Sequence, residues 1–173
     1  RQPGIVALHG LTTANAMHYV WSQTPSDLLR RRLLLQACAF NAHFRDGARS
    51  RGKLRDMTLS QIDPVAPQGS GHEAVADILT DVSGEPLRAA AKVQAYLSAG
   101  GDPEALLDAA RRLIFLKGRD SHDYKFSSAV LEDFQHVSPT QRNTFLSLAV
   151  FHLKGTQDRD NGLVTRTRAA LTT

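Results

Sequence analysis

Apolar residues recur along this chain at intervals of three and four, and no alternating run is bounded by a hairpin turn, so the pattern predicts helices and no sheet. Helices are expected near residues 4–21, 25–45, 72–82, 86–98, 103–117, 123–137, 139–154 and 162–171. Their starts share a chemistry. Thr24-Pro25-Ser26-Asp27, Asp102-Pro103-Glu104 and Ser138-Pro139 each set a capping side chain before a proline, with Glu85-Pro86 a weaker member. Proline suits the first helical position because the N–H it lacks has no partner there. Ser138 and Gln141 also have the spacing of a capping box. Gly100-Gly101, Gly118 and Gly155 mark stops. The fold class is therefore all-α, a compact bundle of about eight helices.

Residues 46–70 break the pattern, basic at their start and rich in Pro, Gly and Ser at their end, and read as one long connector. The length of 173 residues fits a single helical domain over 1–173. The opening RQPGIVALHG has neither an initiator Met nor the start of a signal peptide, which points to a piece of a longer protein or assembly.

Wheel positions predict which helices lie inside. From Leu33 to Phe44 the apolar residues of helix 25–45 point in every direction, the mark of a helix buried on all sides. Its exceptions are Asn41 and a stripe of Arg32, Gln36 and His43. Buried, each unpaired group of that stripe would cost about 1–3 kcal/mol, so a partner is required. Helix 4–21 is similar: apolar residues cover most of its circumference, leaving His9 with Thr13, and Asn15 with His18 and Ser22, as narrow polar seams. Helix 139–154 is also mostly apolar, with His152 on its buried side. These are the expected central helices.

Composition changes this picture little. Apolar residues at 42% and charged residues at 22% are ordinary globular usage, and a net charge of +4 is too mild to argue for nucleic acid. Arg49, Arg51 and Arg55 make a basic loop suited to phosphates or an acidic partner, but without the aromatics that stack on bases. The single cysteine, Cys38, excludes an intramolecular disulfide and any cysteine-cluster metal site in this chain. Residues 4–20 are too polar and too short to span a bilayer. A soluble, cytoplasmic protein is the expectation.

The densest candidate chemistry is DSHDYKFSSAVLEDFQHVSP, residues 120–139. Phe126, Val130, Phe134 and Val137 define the core face of a helix here. Glu132 and His136, four apart, have the spacing of two metal ligands but fall on the opposite face, so a solvated acid–imidazole pair competes with a metal pair. His122 and Asp123 sit where the helix begins, and Asp120 or Ser121 is the candidate cap. No phosphate-binding glycine loop, H-E-x-x-H, G-x-S-x-G or EF-hand loop occurs.

Three segments, LHGLTTANAMHYV, GGDPEALLDAARRLIFLKG and DSHDYKF, resemble a helical region that some bacterial proteins combine with a Rieske-type iron–sulfur domain. The resemblance implies a redox setting and matches His9 and His122 to histidines recurring in that region. The paired Cys-x-His ligands of the cluster itself are absent here.

The leading expectation is a His-ligated transition metal or cofactor site built from His9, His43 and His122, with Gln36 or Asp123 orienting a ring nitrogen. By analogy it would serve a redox or oxygen-dependent enzyme, an oxidoreductase or a domain associated with one. The alternative is a non-catalytic module that docks another domain or protein chain through Arg49, Arg51 and Arg55 or through an apolar groove. Assembly into a homo-oligomer is compatible with either.

Overall fold

A computed structural model describes residues 4–52, 58 and 61–172, and every regular element among them is helical, as the periodicity requires. The chain divides into two compact units, Arg1–Met57 and Thr58–Thr173.

The first unit is a helical hairpin. Helix α1 spans Gly4–Gln23 and α2 spans Asp27–Ser50. Ser26 caps α2 by accepting from the Leu29 amide at 3.3 Å. Pro25 therefore precedes the cap rather than opening the helix. The helices run antiparallel: Gly10 faces Phe44, and Gly47 faces Val6, each at 3.7 Å from where a Cβ would stand. Near the turn, Arg30 Nε donates to the Trp21 carbonyl at 3.2 Å and its guanidinium lies 5.4 Å from the indole centroid. Only Val6 and Leu8 of α1 are buried, and α2 buries none of its residues.

Two expectations are corrected here. Helix 25–45 is not buried on all sides, because within its unit it has α1 alone to pack against, and one neighbour covers one face. Gln36 and His43 are accordingly exposed rather than part of a buried stripe. The helix also continues to Ser50, into the expected connector. Gly47 does not end it there, being held against Val6 in a regular turn.

The second unit contains α3 (His72–Val82), α4 (Pro86–Ser98), α5 (Pro103–Lys117), α6 (Ser121–His136), α7 (Arg142–Ala149) and α8 (Gly162–Leu171). Helix α4 packs on α3 and α7. Its Ala89, Ala90, Ala91 and Val93 are buried, small enough for backbones to approach from several directions. Ile78, Leu106, Phe126, Val130 and Leu146 fill the core from the surrounding helices. Asp102 caps α5 through the Glu104 amide at 2.9 Å with Pro103 in the first turn, as the sequence predicts. Gly100 ends α4 with φ +82°, a conformation suited to glycine.

Residues 139–154 do not form one central helix. A 3₁₀ turn over Pro139–Gln141 leads into α7, and a second covers Val150–His152. The tighter first turn moves the amides that Ser138 would cap, so its hydroxyl meets Thr140 Oγ1 at 3.3 Å and no capping box forms. The segment is not apolar-buried throughout either: Leu148 and Phe151 are exposed.

After α7 the chain returns over α3. Thr156 N donates to the Leu79 carbonyl at 2.9 Å and Gln157 N to Ser83 Oγ at 3.2 Å. Gly155 is buried in that approach. A Cβ there would stand 2.6 Å from Ser83 N and 2.7 Å from the Leu79 carbonyl, distances no side chain tolerates. Asn161 then donates to the Leu116 and Phe115 carbonyls, at 2.8 Å each, satisfying the last turn of α5. The same residue caps α8 by accepting from Val164 N at 3.0 Å.

Candidate functional site

Between α1 and α2 runs an open groove of about 570 Å³, contained wholly in the first unit. Leu11, Ala14 and Met17 line one wall and Ala37, Phe40 and Phe44 the other. Alternation of small and large residues creates it: Gly10, Ala14 and Ala37 leave space that the flanking Met and Phe side chains border but do not fill. Phe40 and Phe44 stack at 6.0 Å with 25° between their planes, which stiffens the α2 wall. Polar groups are few. Asn41 and Thr13 contribute, Cys38 adds the chain's only thiol, and Arg45 stands at the border. Elsewhere on the hairpin Tyr19, Leu28, Leu34 and Leu35 are exposed.

The charge of the hairpin is one-sided. Helix α1 contains no charged residue. Residues 1–52 hold seven arginines and two aspartates, a net +5, whereas residues 53–173 hold fourteen basic and fifteen acidic side chains, a net −1. The whole +4 therefore resides in the part of the chain that carries the groove. Arg31 is engaged by Asp27 at 2.8 Å and Arg30 by Trp21. Among the described residues, Arg45 and Arg49 have no ion-pair partner. Being four apart, they share one edge of α2.

The candidate metal ligands lie on three helices. His9 lies exposed on α1 and His43 exposed on α2, while His122 is half-buried in the first turn of α6, in the other unit. Among the described residues of either unit, no group of three or more His, Cys, Asp or Glu side chains is placed to hold a metal ion. Gln36 is exposed on α2. Asp123 accepts from the Arg119 amide at 2.9 Å and pairs with Lys154 at 2.8 Å, so it fastens the start of α6. Asp120 caps that helix through the His122 and Asp123 amides, at 2.8 and 3.2 Å, and these bonds hold its carboxyl below the usual carboxylate value. His122 Nδ1 stands 3.6 Å from the same carboxylate. Glu132 and His136 are exposed on the solvent face of α6, as their wheel positions predict. Arg49 and Arg51 close α2, and Arg55 lies outside the described residues.

The second unit holds a polar cluster that wheel positions did not single out. Lys92 is 2% exposed, and its ammonium lies 2.7 Å from Asp77 and 2.6 Å from Asp81. Arg88 adds a second cation 3.4 Å from Asp81, and the Gln68 amide donates to Asp77 at 2.8 Å. The hydrogen bond from Lys92, then that from Gln68, holds the Asp77 carboxyl below its ordinary value. Burial alone pushes Lys92 down, but hydrogen bonds and charge from the two aspartates outweigh it and raise the ammonium above 10.5. A catalytic lysine needs the opposite shift. With two cations against two anions the cluster is internally balanced, and it clamps α3 to α4. The signal available in sequence was Asp77 and Asp81, four apart on one face of α3, facing a lone lysine in the alanine-rich α4.

Lys117 is anchored likewise, donating to the Asp158 carbonyl and, at 3.1 Å, to Asp160, whose carboxylate also pairs with Arg168. His152 packs against Phe126 with ring centroids 5.0 Å apart, and burial lowers its pKa below 6.5. No helix among the described residues is long and apolar enough to cross a membrane. No family model matches the chain, and no curated protein or solved structure does.

Proposed function

We propose that this chain is a helical interaction module, without catalysis, whose α1–α2 hairpin docks another protein chain in its apolar groove. The observation that carries this reading is the groove itself: a concave, aromatic- and aliphatic-lined channel between two helices has the shape of a site that takes the apolar face of a third. Exposed leucines elsewhere on the hairpin add apolar surface outside the groove.

Cys38 supplies the test, since it is the only thiol and lines the groove. The full chain carrying an environment-sensitive fluorophore at Cys38 is titrated with an uncharged amphipathic helical peptide bearing a leucine stripe. A saturable blue shift, lost in Ala14→Phe with helicity unchanged, is expected. No shift at any peptide concentration, together with a monomeric chain by sedimentation, would remove the proposal.

A metal held by His9, His43 and His122, in the redox setting that the family resemblance implies, is a separate reading resting on the sequence. Elemental analysis of untagged protein before and after incubation with Fe²⁺, Zn²⁺ or Cu²⁺ decides it. Stoichiometric metal that His9→Ala and His122→Ala abolish supports it, and metal-free protein after reconstitution sinks it.

A further inference from the structure

We infer that the occupant of the α1–α2 groove is an acidic amphipathic helix, one that lays an apolar stripe between the two walls and sets carboxylates against Arg45 and Arg49. This rests on the docking reading above and adds the chemistry of the partner.

Charge placement carries the inference. Arg45 borders the groove and Arg49 follows one turn later on the same edge, so the two cations spring from backbone positions about 6 Å apart along the helix axis. Neither has an ion-pair partner among the described residues. The facing helix, α1, offers no carboxylate to neutralise them. A bound helix with Glu at positions i and i+4 beside its apolar stripe matches that spacing. The net +5 of residues 1–52 also works at longer range, drawing an acidic segment towards the groove before contact.

The same charges disfavour two other occupants. A second copy would set another net +5 from its residues 1–52 against the first, a sum in which both aspartates, Asp27 and Asp46, are already counted. An anionic membrane would be met by the arginines, but a flat lipid surface does not fill a concave channel between two helices, whereas a helix does.

Three peptides of one length and one leucine stripe separate the possibilities, differing only in flanking residues: Glu, Gln or Lys. Each is titrated into the full chain labelled at Cys38. The Glu peptide is expected to bind at least about tenfold more tightly than the Gln peptide, and the Lys peptide more weakly still. Raising the salt from 50 to 500 mM (a Debye length falling from roughly 14 to 4 Å) should erase most of the difference between Glu and Gln. The double variant Arg45→Glu/Arg49→Glu should invert the order, favouring the Lys peptide, and a fold defect cannot produce such an inversion. Equal affinity for all three peptides would overturn the acidic partner while leaving a groove that docks helices. No binding by any of them overturns both. A concentration-dependent dimer that Ala14→Phe dissociates would assign the groove to a second copy. Binding to phosphatidylserine/phosphatidylcholine vesicles without binding to the Glu peptide would assign it to a membrane surface. Either of these last outcomes also overturns the inference.

Discussion

Lys92 is 2% exposed and Leu35 is 73% exposed, so the two compact units of this chain invert the usual sorting of side chains. In Thr58–Thr173, helices surround α4, and even a charged group can be enclosed there because Asp77, Asp81 and Arg88 complete its balance. In Arg1–Met57, two helices cover each other on one face, and leucines that a larger unit would bury remain outside. The lesson is that burial follows the number of neighbouring elements as much as residue type. The smaller unit is therefore left with exposed apolar surface.

Breaking the charged cluster should have the largest effect. Lys92→Met leaves Asp77 and Asp81 short of a cation in a mostly enclosed setting and should cost about 3–5 kcal/mol in chemical denaturation. Adding Asp77→Asn and Asp81→Asn should recover part of that loss, because the three residues act as one unit. Recovery of nothing would mean that the lysine matters through its packing and not its charge.

A matched pair sharpens the contrast between the units. Ile78→Ala, at a position with 0% exposure, should cost about 2–4 kcal/mol. Leu35→Ala should change stability by less than about 0.5 kcal/mol. A large loss at Leu35 would show that α2 is covered in solution, most simply by a partner or another copy, and sedimentation would say which.

Acid should act on the second unit in two steps. Burial places the His152 pKa below 6.5 in the folded chain, so the folded state binds its proton less readily than the unfolded one. Stability is undiminished above 6.5 and declines as pH falls from there through the lower folded value. Asp77, Asp120 and Asp160 are likewise held below 3.8, and their contribution is lost only as pH falls beneath that value. A profile of melting temperature against pH checks this: His152→Asn should flatten the upper step and leave the lower one. An unchanged upper step would mean that another group controls it.

The most modest change is expected at Gly10. A methyl there meets Phe44 at 3.7 Å, ordinary van der Waals contact, so Gly10→Ala should stabilise α1 by about 0.5–1 kcal/mol through the unfolded state. Destabilisation would mean that the two helices lie closer than that contact allows.

Local chemistry made much of the fold legible in advance. Asp102 caps α5 ahead of Pro103, and Gly100 and Gly118 close α4 and α5, because each signal depends on a few adjacent residues. The start of α2 lies two residues later than the sequence predicts, its cap being Ser26 and not Thr24. The inside–outside assignment of α2 failed for a non-local reason: periodicity reports which faces are apolar, not how many neighbours arrive to cover them. The groove was legible only as the general idea of an apolar docking surface, since its lining draws on residues of two helices that the sequence alone does not bring together. Lys92 escaped notice because an isolated lysine in an alanine-rich run reads as solvated until its partners on α3 are placed. The histidines attracted attention by their chemistry alone, and His9 and His43 lie on the exposed surface of the hairpin.

Gly155 carries a consequence on an evolutionary timescale. With the Ser83 amide and the Leu79 carbonyl where its Cβ would stand, any mutation of its codon that adds a side chain pushes the returning loop off α3. Selection acting on descendants of this sequence should therefore hold that glycine fixed while the leucines on the outer face of α2 drift. In a library of random variants sorted only for folded protein, position 155 should be among the most depleted of change.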